Sequence, residues 1–256
     1  MTLELRFERR AGRTHLVHRV CEAPFALGRP FDLGDGVLTM FVQSVAGVIR
    51  GGERWSTAVS IGPGAAARVV HTAALPVHAG SGTSASASMD LAAHADEGSM
   101  LEIISAPLVL MGDADVRLAT RATTVGDGAI VLLDAVTHHG GPSSLDQQLV
   151  AGVDGGVCQD RVRYRWPLDA LALPDGRHAS LWWLQTAREH RIDVEAMTRL
   201  PTDCGWLGRG VGPDALGSLY ERLDAMRAAH QRVAHPQRLI DITRGRGLRG
   251  TTLPVR

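Results

Sequence analysis

Four histidines and three acids are the side chains of this sequence best suited to chemistry. His71 and His78 lie seven residues apart around an expected strand end, and His138-His139 follow an apolar segment that closes at Asp134. Imidazole suits nickel, zinc and copper, so two or three of these rings converging would make a transient metal site. The other reading of adjacent histidines is a solvated loop, and the sequence leaves both open. Glu53, Glu102 and Asp134 each border an apolar segment. Such a carboxylate either lines a polar interior passage or satisfies a turn. His71 or His138 could act as a general base, but neither has a nucleophile or an orienting partner in its sequence neighbourhood. The chain is therefore expected not to be an enzyme.

Other chemistries are absent or weak. No G-x-S-x-G elbow, H-E-x-x-H helix or P-loop occurs, and all 27 basic residues are arginine. Without lysine there is no Schiff base and no phosphate-binding Walker lysine. Arg161, Arg163 and Arg165 alternate with Val162 and Tyr164, which fits a solvated outer strand face or a phosphate contact. Gly208-Arg209-Gly210-Val211-Gly212 is read as a flexible loop, because no clear strand leads into it as a dinucleotide motif requires. Trp182-Trp183 is read as a core and edge pair. A formal net charge of zero gives no field toward nucleic acid or an anionic membrane. Cys21, Cys158 and Cys204 are scattered and odd in number, so no disulfide framework or zinc knuckle is expected. The first residues lack the apolar core of a signal peptide and no apolar run could span a bilayer, which points to the cytoplasm.

The elements that must position these groups read mainly as strands. Up to about residue 180, apolar or alternating segments of four to eight residues break at glycine turns. Three blocks share a plan, around Gly64, Gly98 and Gly128, where a strand is expected to enter a tight turn at a positive-φ glycine and a more apolar strand to leave. These glycines are 34 and 30 residues apart, which suits stacked or meandering sheets with similar hairpins. Aromatics are only 4% of the chain, so aliphatic residues must fill the core. One clear helix is expected over Asp214–Val233, with Leu216, Leu219, Tyr220, Leu223 and Met226 on one face and Asp214 as N-cap. Thr186–Thr198 is a weaker helix candidate, and the Arg/Gly-rich tail is expected to fray or dock. The whole is read as one domain over 1–256, β-rich to 180 and partly helical from 181.

Several segments together resemble the UreD (UreH) family of urease accessory proteins. Ala23-Pro24-Phe25-Ala26-Leu27-Gly28-Arg29-Pro30-Phe31 is similar to the family's P-L-x-x-x-R-P-F segment. Ala46-Gly47-Val48-Ile49-Arg50-Gly51-Gly52-Glu53 stands where the family has a glycine-rich turn ending in aspartate. Ser60-Ile61-Gly62-Pro63-Gly64-Ala65 resembles its L-x-P-G-A turn, and Gly98-Ser99-Met100-Leu101-Glu102 its G-A-x-L-E. Ile130-Val131-Leu132-Leu133-Asp134 resembles its strand ending in an acid. The order is kept from the N-terminus to about residue 145.

The resemblance implies a β-rich UreD-type scaffold with a few C-terminal helices. It implies a role in urease maturation: nickel in transit with no tightly bound cofactor, delivered to apo-urease with UreF-like and UreG-like (GTPase) partners in a hetero-oligomer. Carried over, Glu53, Glu102 and Asp134 are the channel candidates, while His71, His78, His138 and His139 are additions of this sequence. Departures stand beside these matches. Gly52 occupies the family's aspartate position, Ser105 its proline, Val70–His78 its T-T-Q-A-A-x-K-x-Y run and His138–Gly141 its Gly-Arg pair. They support an alternative, a UreD-like assembly or structural subunit of another enzyme complex that has lost the nickel route.

Overall fold

The computed structural model describes residues 1–80, 85–153, 155–166, 177–185, 197–211 and 214–234. The chain is mainly β. It opens with an antiparallel ribbon, β1 (Thr2–Arg10) and β2 (Arg13–Cys21), and then β3 (Phe25–Leu27) and β4 (Phe31–Asp32) pair antiparallel with β5 (Leu38–Ser44). A winding region follows, made of β6 (Ile49–Arg50), β7 (Arg54–Ile61), β8 (Ala66–His71), β9 (Leu75–His78), β10 (Ala87–Ala95), β11 (Met100–Ile104), β12 (Leu108–Met111), β13 (Asp115–Thr124), β14 (Ala129–His139) and β15 (Ser143–Val153). The chain ends with β16 (Gly156–Trp166), β17 (Arg177–Leu184), β18 (Thr198–Arg199), β19 (Gly205–Val211) and the helix α1 (Ala215–Ala234).

The winding region is a coil of parallel strands. In the first sheet β1, β7, β10, β13 and β15 pair in parallel, and in the second β5, β8, β11 and β14 do the same. The short strands β6, β9, β12 add a third row. The glycine turns are thus not hairpins. Each carries the chain from the first sheet to the second, β7 to β8, β10 to β11 and β13 to β14, and the two strands it joins do not pair with each other. The turns stack on one another: the Gly64 amide donates to the Glu97 carbonyl at 3.0 Å and the Gly98 amide to Asp127 Oδ1 at 2.6 Å. Gly64 and Gly98 have positive φ as expected, but in the third turn the positive φ falls on Gly126. Gly128 is required for a different reason, because a Cβ there would lie 2.5 Å from the Asp96 carbonyl oxygen. Stacking tolerates unequal loops between coils, which is why the repeat spacing in sequence is loose.

Strands buried on both faces need apolar residues in both registers. On β14, Ile130, Leu132 and Val136 enter the core between the sheets, while Val131, Leu133 and Ala135 face a second cluster beneath α1. Leu219, Leu223 and Met226 of α1 are fully buried in that cluster, and Tyr220 is exposed. Trp182 points into the core between the sheets and Trp183 toward α1. Both lie on β17, which runs between β14 and β19 and is no edge strand. The glycines at 208 and 210 belong to strand β19 rather than to a loop. A Cβ at Gly210 would meet the Ala215 carbonyl oxygen at 2.6 Å, and one at Gly208 would meet Met197 Sδ at 2.5 Å. Gly210 is small because the start of α1 packs directly on this strand, and Gly208 because Met197 and Leu219 close over it. The Thr186–Thr198 helix expectation falls mostly on residues outside the described ones, as does the Arg/Gly-rich tail.

Candidate functional site

Between the sheets lies a cavity of about 70 Å³, room for a few waters. His71 at the end of β8, Asp134 on β14, Ser105, Thr57, Thr120 and Asp90, which accepts from Arg54 Nε at 2.7 Å, supply its polar lining, and Trp55, Ile103, Leu108 and Leu118 much of the rest. Asp134 points inward because it shares its register with Leu132 and Val136. Across the gap, Gln147 Nε2 on β15 donates to Asp134 Oδ2 at 3.1 Å. Burial raises the Asp134 pKa against the pull of hydrogen bonds from Ser105 and Gln147. Burial also holds the His71 pKa down at about 4, so this imidazole is neutral and keeps a lone pair at pH 7. The His71 ring has no hydrogen-bond partner among the described residues, and the buried Gln147 Oε1 is likewise unpartnered among them.

The polar lining continues along β17, at residues that no motif singles out. Ser180 is the register partner of Asp134 on the neighbouring antiparallel strand, so the two side chains share a face. Its hydroxyl lies 2.9 Å from His178 Nε2, and Tyr164 Oη on β16 lies 3.2 Å from His178 Nδ1. Burial, and next the Arg209 charge, lower the His178 pKa to about 4. Beyond, Trp182 Nε1 donates to Asp160 at 3.2 Å, and Arg209 pairs with the same carboxylate near the sheet edge. A seam of polar groups therefore runs through the interior from the His71–Asp134 cavity to the Asp160–Arg209 pair. Its only sequence trace was the alternation of His178, Ser180 and Trp182, hidden within a nearly continuous buried run.

The remaining candidates are placed elsewhere. Glu102 faces the opposite side of the second sheet, toward α1. Its side chain is 2% exposed and clamped by two arginines, with Arg68 Nε at 2.6 Å and Arg227 Nε at 2.9 Å. Burial would raise its pKa, but the hydrogen bonds and charges of Arg227 and Arg68 outweigh that and hold it below the usual carboxylate range. Glu53 closes the turn before β7, its Oε2 accepting from Trp55 Nε1 at 3.2 Å and from the Arg50 amide at 3.3 Å. His138 stacks on Trp166 with ring centroids 5.5 Å apart, and its Nδ1 lies 2.8 Å from Ser143 Oγ. Burial and then His139 lower its pKa. His78 and His139 are exposed. Of the seven candidates, the cavity brings together His71 and Asp134. No group of three or more His, Cys, Asp or Glu side chains able to hold a metal occurs among the described residues. The outward row Arg161, Arg163 and Arg165 is exposed, with Arg161 Nε donating to Asp146 at 2.9 Å. Among the described residues no helix is long and apolar enough to cross a membrane.

Comparison with known proteins gives the geometry a family. The sequence model of the UreD urease accessory protein family matches residues 2–145. The chain is 29% identical over 188 residues to Urease accessory protein UreD 2 of Bradyrhizobium sp. strain ORS 278, covering 69% of this chain and 65% of that protein. It is 27% identical over 238 residues to UreD 3 of the same strain, covering 84% of each. It is 31% identical over 142 residues to UreD 2 of Bradyrhizobium sp. strain BTAi1, covering 54% of this chain and 49% of that protein. The match thus spans just under two thirds of one of these relatives and about half of another. The winding region from β6 to β14, with its stacked glycine turns, lies inside the family match, whereas most of β15 and all of β16 to β19 and α1 lie beyond it. The chain belongs to the UreD family of urease accessory proteins.

Proposed function

We propose that this protein is a cytoplasmic urease maturation factor, a non-catalytic scaffold that helps deliver nickel into apo-urease with UreF-like and UreG-like partners in a hetero-oligomer. The observation that carries this reading is the cavity between the sheets, where the Asp134 carboxylate and the neutral His71 imidazole face one space. A route for cargo must hold a divalent ion weakly. Two protein donors with water completing the shell suit that, whereas three or four would retain the ion. The unpartnered Gln147 amide oxygen adds a further acceptor beside Asp134. Glu53 and Glu102 then act on the walls, one closing a turn and the other fastening α1.

A second reading has a specific observation in its favour. Both Glu102 oxygens are occupied by arginine and Glu53 is committed to its turn, so two of the three family acids are not free. A UreD-like assembly subunit of another enzyme complex, with the nickel route lost, would tolerate that. A tagged pull-down from the native host, with partners identified by mass spectrometry and metals counted, separates the two. UreF-like and UreG-like proteins with urease subunits support maturation. An unrelated enzyme recovered without nickel supports the second reading.

A further inference from the structure

Two thiols that the proposed route leaves unused meet across one end of the two-sheet stack. Cys158 lies on β16 of the first sheet and points inward in register with Val162 and Trp166. Cys204 follows the 3-10 turn Pro201–Asp203 and leads into β19 of the second sheet. Both are buried in the core between the sheets, and Thr202, two residues before Cys204, packs on the start of β16, its carbonyl oxygen 3.3 Å from where a Cβ on Gly156 would stand. The third cysteine, Cys21, is exposed on β2 at the far edge of the first sheet.

The cover over this pair is thin. Pro201, Thr202 and Asp203 are all exposed. Among the described residues the turn is held to β16 by the hydrogen bond from Thr202 Oγ1 to the Val157 carbonyl at 3.4 Å. Thr202 and Asp203 have φ of 55° and 56°, a left-handed conformation that costs a residue with a side chain. A short, strained, exposed turn opens locally more readily than the strands beneath it. Opening of this turn would give a small oxidant a way to the pair.

We propose that Cys158 and Cys204 are a peroxide-oxidisable dithiol whose oxidation joins the two sheets through a disulfide. The Cys204 thiol gives up its proton as its sulfur attacks one oxygen of hydrogen peroxide; the O–O bond breaks, the leaving hydroxide takes that proton and departs as water, and Cys204 becomes a sulfenic acid. The Cys158 sulfur then attacks the Cys204 sulfur, the S–O bond breaks, and a second water leaves with the Cys158 proton. Two thiols lose two electrons and one peroxide becomes two waters. Cys204 directly follows the exposed turn, which assigns the first attack to it and the resolving step to Cys158 on the strand beneath. The product would fasten β16 to the turn before β19 at the same end where Asp160 bonds Trp182 and Arg209 across the gap. Oxidation would thus close the sandwich at the outer end of its polar seam.

The test uses the full chain carrying Cys21→Ser, which removes intermolecular pairing at the exposed thiol. After treatment with hydrogen peroxide, intact mass should fall by two hydrogens and a non-reducing peptide map should join Cys158 to Cys204. The thermal midpoint should rise on the order of 5–10 °C and return on addition of dithiothreitol. In Cys158→Ser the same treatment should leave a sulfenic acid on Cys204 that dimedone traps. Two results would overturn the proposal. One is both thiols remaining alkylatable in denaturant after treatment, and the other is Cys204 passing to sulfinic acid while Cys158 stays reduced.

Discussion

Replacing Glu102 by Gln should loosen α1 from the second sheet. Glu102 is 2% exposed, and the Arg68 and Arg227 side chains that hold it are 13% and 21% exposed, so the change removes the anion from a largely desolvated cluster. Two guanidinium groups would remain facing each other. Breaking a buried pair by removing one partner costs about 3–5 kcal/mol. Asp35 at 3.4 Å from Arg68 and Asp224 at 2.7 Å from Arg227 remain as partial partners, which places the loss near the lower end, about 3 kcal/mol. For a chain of this size that lowers the thermal midpoint on the order of 10 °C. The pH dependence has a definite sign. The folded-state pKa of Glu102 is depressed, so its contribution is complete above the unfolded value of about 4.3 and is lost as pH falls through the folded value. The assay is thermal denaturation of wild type and variant at neutral and acid pH, with hydrogen exchange followed over α1. The variant should be destabilised at pH 7, should converge with wild type in acid, and should lose protection first in α1. A neutral-pH loss under about 0.5 kcal/mol, or a loss that does not shrink in acid, would refute the reasoning.

Other consequences follow from the same interior. His71 and His178 both titrate near 4 in the fold and near 6.5 when unfolded, so the unfolded chain binds more protons between those values and stability falls as pH falls through that window. Each should cost about 2 kcal/mol between pH 7 and pH 5, and His178→Gln should flatten the measured slope in urea titrations by that amount. Gly128→Ala drives a Cβ into backbone carbonyls of the stacked turn, with the Asp96 and Ala95 oxygens at 2.5 and 2.9 Å, and should destabilise by about 1–3 kcal/mol. Gly12→Ala, whose φ is positive but where a Cβ meets nothing within 4 Å, should cost only about 1 kcal/mol in the same denaturation series.

How far the fold was legible depends on what carried each signal. The strands and α1 were readable because alternation and helical periodicity are local; α1 differs from its expected span by a residue at each end. The coil was not readable as a coil. A glycine turn between strands looks the same whether the strands pair with each other or pass to opposite sheets, and only long-range register separates the cases. Among the site residues, Asp134 and Glu102 looked alike, an acid beside an apolar run. One residue of register decides that Asp134 faces the gap between sheets and Glu102 the helix. His178 was missed because a histidine inside a continuous buried run shows no contrast with its neighbours. The glycines of β19 were misread because their role is close approach to α1, which no motif encodes.

If cargo passes through the cavity that Asp134 lines, nickel-dependent activation of apo-urease by Asp134→Asn beside wild type, with partner recovery measured in the same samples, reports on that passage. Burial raises the Asp134 pKa, so removing its charge should leave the thermal midpoint at pH 7 unchanged or higher. Activation should fall at least about tenfold with partner binding intact. Full activation by the variant, at equal recovery of partners, would contradict it.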